Sequence, residues 1–261
     1  MAGMGLGGLW LFLGVVVAVA VVLAVGVIAV ADRVLDEPLG AAYASALSPF
    51  LTTVALVYGA LLGFTVVVAW EQFSSAEENV ISESSTLATM YRQTVGMPIA
   101  ERSEMQALLR TYTVAVQVEW DRSDDGDTSD AARGAITQMY RVLGRQPSDT
   151  ASSPINGEFL GQLTVLTSER NTRILDARPR IPGLLWTGML FGAILLICLM
   201  GFTRLPSKGG HMVLSSAVAV LLSLLLFIVF WLDHPFGRQL GVTPAPFEHA
   251  MQVFDGVDGG T

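Results

Sequence analysis

The chain has 261 residues, 52% of them hydrophobic and only 15% charged, and its mean hydropathy is +0.54. Soluble domains carry about a quarter charged residues, so this composition excludes a disordered chain and argues against an ordinary soluble domain. Lys plus Arg number 15 against 23 Asp plus Glu, a net charge of −8 that leaves no basic footprint for nucleic acid, and the single Cys198 rules out an intramolecular disulfide or a multi-cysteine metal cage.

No charge occurs from Met1 to Ala31, a run longer than the ~20 residues that cross a hydrocarbon core of ~30 Å. A first transmembrane helix is therefore expected within 1–31. A signal peptide competes with it, because Ala29-Val30-Ala31 precedes Asp32 in the manner of a cleavage site. The length of the apolar run and the absence of a cationic n-region favour a retained helix. After a short extracytoplasmic loop, 32–46, a second span is expected over 47–70, with Ser48-Pro49 as N-cap and first-turn proline and Glu71 as its stop.

The segment 71–182 is polar and reads as a soluble insertion of helices. Met105, Leu108, Leu109, Tyr112 and Val116 recur at helical spacing after Pro98, as do Ile136, Met139, Tyr140 and Leu143, and later Phe159, Leu163 and Leu166. The acidic stretch from Asp121 to Asp130 and the Pro-containing stretch from Gln146 to Asn156 read as surface connections. Asp124-Asp125-Gly126-Asp127 lacks the ligand order of a calcium-binding EF-hand loop.

A third span is expected over 183–203, a short loop over 204–211, a fourth span over 212–232 and a tail over 233–261, with Asp233 read as the charge that stops the fourth span. Trp10, Trp70, Trp186 and Trp231 fall near span ends, where amphipathic rings favour the headgroup layer. Four spans put both termini and the soluble insertion on one side. Flanking Arg170, Arg173, Arg178, Arg180 and Arg238 outnumber Arg33, Arg204 and Lys208 on the other, which points to the cytoplasm for that side. The fold class is all-α, an integral membrane protein with four transmembrane helices and a helical insertion between the second and third.

Several motifs bear on function. Gly59-x-x-x-Gly63 and Gly188-x-x-x-Gly192 place small residues on one face of the second and third spans, for packing within the chain or between subunits. Leu56, Ala60 and Phe64 form an apolar stripe on the second span, suited either to packing in the bundle or to a constriction that gates by dewetting. Glu71, Glu78 and Glu83 follow this span and Arg170 and Arg173 precede the third, so these charges form either a solvated network or a vestibule at a pore mouth. Asp233-His234 and Glu248-His249 match no standard zinc spacing. No catalytic constellation, cofactor motif or metal site is expected, and the chain reads as no enzyme. Phe247, Ala250, Met251 and Phe254 form an amphipathic stripe in the tail that either lies on the membrane or docks on the soluble helices.

One string is specific. Tyr58-Gly59-Ala60-Leu61-Leu62-Gly63-Phe64, with Trp70-Glu71-Gln72-Phe73, Ala76, Glu83, Leu87 and Tyr91-Arg92, resembles membrane proteins that carry a bestrophin-like domain. Arg170 and Arg173 ahead of Pro182-x-Leu184-Leu185-Trp186 agree, as does Leu232-Asp233-His234-Pro235-Phe236-Gly237 with Val242, Pro244 and Phe247. The resemblance runs from about residue 47 onward. It implies four membrane helices, cytoplasmic termini, a homo-oligomer and a pore lined by the second span, as in the pentameric bestrophin anion channels. Leu62-Gly63-Phe64 is similar to the bestrophin neck motif, although Leu56 and Ala60 stand where bestrophins have larger neck residues, and no acidic run like the bestrophin calcium clasp follows the fourth span. The partners so implied are the lipid bilayer, further copies of the chain and a small anion. The alternative is a non-conducting scaffold or sensor whose cytoplasmic helices bind a partner.

Overall fold

The computed structural model describes residues 6–34, 41–122, 130–145, 154–203, 207–236 and 241–260, and is helical throughout them apart from short connections. Four helices, α1 (Leu6–Val34), α2 (Ala41–Gln93), α6 (Gly183–Phe202) and α7 (Lys208–Leu232), are long and apolar enough to span a membrane. The others are α3 (Ile99–Arg122), α4 (Asp130–Gly144), α5 (Pro154–Asp176) and α8 (Ala245–Gly259), with a 3₁₀ turn at Thr94–Gly96. Most of the acidic stretch and the first part of the Pro-containing stretch lie outside the described residues.

Three boundaries differ from expectation. The second helix begins at Ala41, so Pro49 lies inside it rather than at its start. In lipid a helix must satisfy its own backbone, which favours continuation through the proline. Thr52 and Thr53 donate to the carbonyls of Ser48 and Pro49 at 3.0 and 2.9 Å. At its other end α2 does not stop at Glu71 but runs on unbroken to Gln93. The fourth span begins at Lys208, earlier than expected, because Ser207 caps it by accepting a hydrogen bond from the Gly210 amide at 3.2 Å.

The chain forms two compact units. One comprises the described residues up to Gln72 together with Arg180–Asp233, the other Phe73–Pro179 and the residues from His234. In the first, α1, α6 and α7 pack mutually. Ala24, Ile28 and Ala31 are the buried positions of α1, and a Cβ at Gly201 would stand 2.4 Å from Val27 Cγ1, so the backbones of α1 and α6 approach where glycine removes the side chain. Phe12 meets Phe227 and Phe230 with ring centroids 6.0 and 5.8 Å apart.

The second unit has one continuous hydrophobic core, built from α2 beyond Gln72, α3, α4, α5 and α8. The tail stripe docks here: Phe247, Ala250 and Phe254 are buried, and Phe254 stacks on Tyr91 at 4.1 Å. Trp120 meets Phe236 and Phe247 edge-on and donates from Nε1 to the Val242 carbonyl at 3.1 Å. Arg110 pairs with Asp255 and Asp258 at 2.8 Å each, fixing the far end of α8.

Candidate functional site

In the membrane unit α2 has two unlike faces. Tyr58, Leu62, Thr65 and Ala69 recur at helical spacing and are buried. Leu56 and Phe64 are 72% and 74% exposed, and Ala60 between them is exposed too. At 1.5 Å per residue this stripe extends for about 12 Å of apolar surface that the protomer leaves open. The buried face is fixed by Tyr58, whose hydroxyl donates to the Met189 carbonyl at 2.7 Å.

The glycine motifs divide along the same line. A Cβ at Gly192 would stand 2.5 Å from Tyr58 Cε2, so this glycine admits the tyrosine ring. Gly59, Gly63 and Gly188 have nothing within 4 Å of the position a Cβ would take. Among these glycines and Gly201, close approach between spans within the chain therefore falls on Gly192, from the second motif, and on Gly201, which lies in neither motif.

The charges expected at a vestibule separate. Glu71 and Glu78 are exposed, whereas Glu83, Arg170 and Arg173 are buried inside the second unit. Arg173 Nε lies 2.7 Å from Glu83 Oε2 and its Nη2 lies 3.2 Å from Glu119 Oε2. Arg170 grips Glu119 with both terminal nitrogens, at 3.1 Å for Nη1. Tyr112 donates its hydroxyl to Glu83. The guanidinium of Arg170 stands 5.7 Å from the Tyr112 ring and that of Arg173 stands 5.6 Å from the Trp120 ring.

Two guanidinium groups and two carboxylates make this cluster formally neutral, which is the condition under which charges are tolerated in a dry core. Burial, reinforced by the Glu83 charge, pushes the Tyr112 hydroxyl well above its ordinary range and keeps it a donor. For Arg173, burial acts against the charge, but the Glu83 carboxylate outweighs it and holds the guanidinium protonated. The three residues are thus neither a solvated network nor part of an open vestibule. They tie α2, α3 and α5 together.

Glu119 and Tyr112 were not among the expected site residues, although the sequence carries the signal. The stripe Met105, Leu109, Tyr112, Val116 continues in register to Glu119, and Phe159, Leu163, Leu166 continues to Arg170 and Arg173. On α2, Ala76, Val80 and Leu87 bracket Glu83 in the same way. A charge standing where the helical period calls for an apolar residue marks a buried ion pair.

Asp233 does more than stop the fourth span. It is 3% exposed and accepts hydrogen bonds from the Arg180 and Ile181 amides at 3.0 Å each and from Trp186 Nε1 at 3.3 Å. The carboxylate thereby joins the end of α7 to the entry of α6. His211 is buried, with Nε2 2.9 Å from the Met200 carbonyl. Among the described residues no group of three or more His, Cys, Asp or Glu side chains is placed to hold a metal.

A family model for the bestrophin-like domain matches residues 18–247. Among solved structures, the fold is similar to a bacterial bestrophin homologue from Klebsiella pneumoniae carrying a single substitution, with TM-score 0.72, 14% identity and coverage of 95% of this chain and 99% of that one. A structure described only as a membrane protein matches with TM-score 0.72 and 13% identity over 93% and 97% of the two chains. Another substituted form of the Klebsiella pneumoniae homologue matches with TM-score 0.61 and 13% identity over 93% and 95%. No curated protein matches the chain.

Proposed function

Because the chain belongs to the bestrophin-like family, we propose that it is a homo-oligomeric ion channel of the bacterial inner membrane, with its pore lined by the second span and its termini and soluble unit in the cytoplasm. The observation that carries this reading is the open apolar stripe of Leu56, Ala60 and Phe64, set opposite the face that Tyr58 and Leu62 bury. Placed around a cyclic axis, such stripes form an apolar ring whose narrowest point closes by dewetting. Gly59 and Gly63, which meet nothing within the protomer, let neighbouring copies of α2 approach closely.

The stretch of α2 from Leu47 to Trp70 holds no charged side chain, which suits a passive pore for a small anion better than a coupled pump, since pumps carry ionisable residues within the membrane. Of the expected vestibule charges, Glu71 and Glu78 remain available at an aqueous mouth. Glu83, Arg170 and Arg173 serve the reading differently, as the internal brace of the soluble helices.

The test is the oligomeric mass of the detergent-purified protein, followed by ion flux in liposomes. A single species of roughly five subunits, and flux altered by Phe64→Ala with the oligomer intact, are expected. A monomer stable across detergents removes the axis on which the pore depends and leaves the scaffold reading. Unchanged flux in the intact variant oligomer removes Phe64 from the constriction.

A further inference from the structure

Within the second unit, α2 and α8 border a cavity of about 220 Å³ that is open to solvent, with Ser85, Thr89, Arg92 and His249 exposed along it, and that is separate from the buried charge cluster. Ser85, Thr89 and Arg92 line it from successive turns on one face of α2, and His249 faces them from α8. The small side chains of Ala88 and Ala250 leave its floor open. None of its lining residues is a carboxylate.

Of the five polar side chains along it, Ser84 donates to the Ile81 carbonyl at 2.8 Å and the other four are uncommitted. Among the described residues Ser85, Thr89, Arg92 and His249 make no side-chain hydrogen bond or ion pair. Elsewhere in this unit the described cations of the core are spoken for: Arg110 by Asp255 and Asp258, Arg170 by Glu119, Arg173 by Glu83. In a chain where acidic residues outnumber basic ones 23 to 15, an Arg set among hydroxyls and an imidazole, with no acid lining the same cavity, is matched to a ligand that brings its own negative charge.

The chemistry of the lining narrows the ligand. A guanidinium fork binds two oxygens of one tetrahedral or planar oxyanion, while the hydroxyls and the imidazole N–H supply further donors. The volume is below the roughly 300–1,000 Å³ of pockets that hold drug-sized molecules, so the part of a ligand seated within it is small. We propose that this cavity binds a small phosphate-type oxyanion, with Arg92 as the charged anchor, Ser85, Thr89 and His249 as the remaining donors, and α2 and α8 as the elements it clamps together. The inference does not rest on ion conduction, and its test reads binding alone.

The full-length protein in neutral detergent would be titrated with inorganic phosphate at constant ionic strength, following heat of binding and the thermal-unfolding midpoint. Dihexanoyl phosphatidic acid serves as a second probe. Saturable binding that raises the midpoint is expected, weakened about tenfold or more in Arg92→Gln, as loss of a charge-assisted contact predicts. His249→Gln and Thr89→Val are expected to weaken it less, and they carry the test if Arg92→Gln does not fold. Binding of inorganic phosphate with this pattern assigns the site to the free anion. Binding of the phosphatidic acid alone, with the same variants weakened, assigns the same chemistry to a lipid headgroup. Absence of binding by either probe, or variants that bind as tightly as the parent, overturns the proposal.

Discussion

The ring of Tyr58 lies over Gly192, so close that a Cβ there would stand 2.5 Å from Tyr58 Cε2, while its hydroxyl donates to the Met189 carbonyl at 2.7 Å. This contact holds the second span to the third and turns the Leu56, Ala60 and Phe64 stripe outward. Gly192→Val forces the tyrosine from its place and is expected to cost about 1–3 kcal/mol, as overpacking does. Gly188→Ala meets open space and is expected to leave the protomer's stability unchanged. Thermal unfolding of the two variants in detergent distinguishes them, and equal midpoints would show that the Tyr58 contact does not position α2.

Arg173 is buried between two carboxylates. Replacing it by Ala leaves Glu83 charged and uncompensated in the core, a loss of about 3–5 kcal/mol by analogy with broken buried pairs. Removing the pair together, as Glu83→Leu with Arg173→Met, keeps the remaining Glu119 and Arg170 neutral and is expected to recover part of that loss, because the buried Tyr112 hydroxyl then loses its Glu83 acceptor. A double variant no more stable than Arg173→Ala would mean that the cluster acts through something other than charge balance. Chemical unfolding followed by the fluorescence of Trp120, whose ring lies beside Arg173, reads the difference.

Asp233 accepts from two backbone amides and an indole. Asp233→Ala leaves those donors without an acceptor and is expected to cost about 1–3 kcal/mol. Asp233→Asn keeps one oxygen for the two amides but offers Trp186 an N–H in place of an acceptor, so its loss should be smaller. Amide hydrogen exchange at Arg180 and Ile181 follows both variants, and equal protection in Asp233→Ala and the parent would remove this role.

The docking of α8 is expected to depend on pH through Asp258 and Tyr91. Burial works against the Asp258 carboxylate, but hydrogen bonds from Tyr91 and Arg110 and the charge of Arg110 outweigh it and hold the group below its ordinary 3.8. A lowered carboxylate stabilises the folded state above its ordinary value, and that contribution disappears as pH falls through the folded one. For Tyr91, burial and the hydrogen bond to Asp258 raise the hydroxyl above 10.0, so its contribution is present below that value and lost as pH rises beyond it. Protection of the amides across Ala245–Gly259, taken relative to the intrinsic exchange rate at each pH, should therefore be greatest between these limits and fall below about pH 3.8. In Asp258→Asn the acid-side change should be reduced. An acid-side change of equal size in that variant would assign the effect to other carboxylates.

Much of the architecture was legible in the chain itself. Uncharged runs long enough for a bilayer determined four spans, because a hydrocarbon solvent tolerates little else. The period of Met105, Leu109, Tyr112 and Val116 determined which face of α3 is buried. It also reached Glu119, but an apolar pattern is read by looking for apolar residues, and a charge in register is passed over. What the tertiary structure alone decided was pairing. Glu83 and Arg173 are 90 residues apart in the chain, and no local rule distinguishes a carboxylate that meets a guanidinium across a core from one that meets water. Glu71 and Glu78 have the same chemistry as Glu83, yet they stay at the surface. Side-chain type and period set what each residue can do, whereas burial and the partner across the interface, which depend on how the helices pack, set what it does.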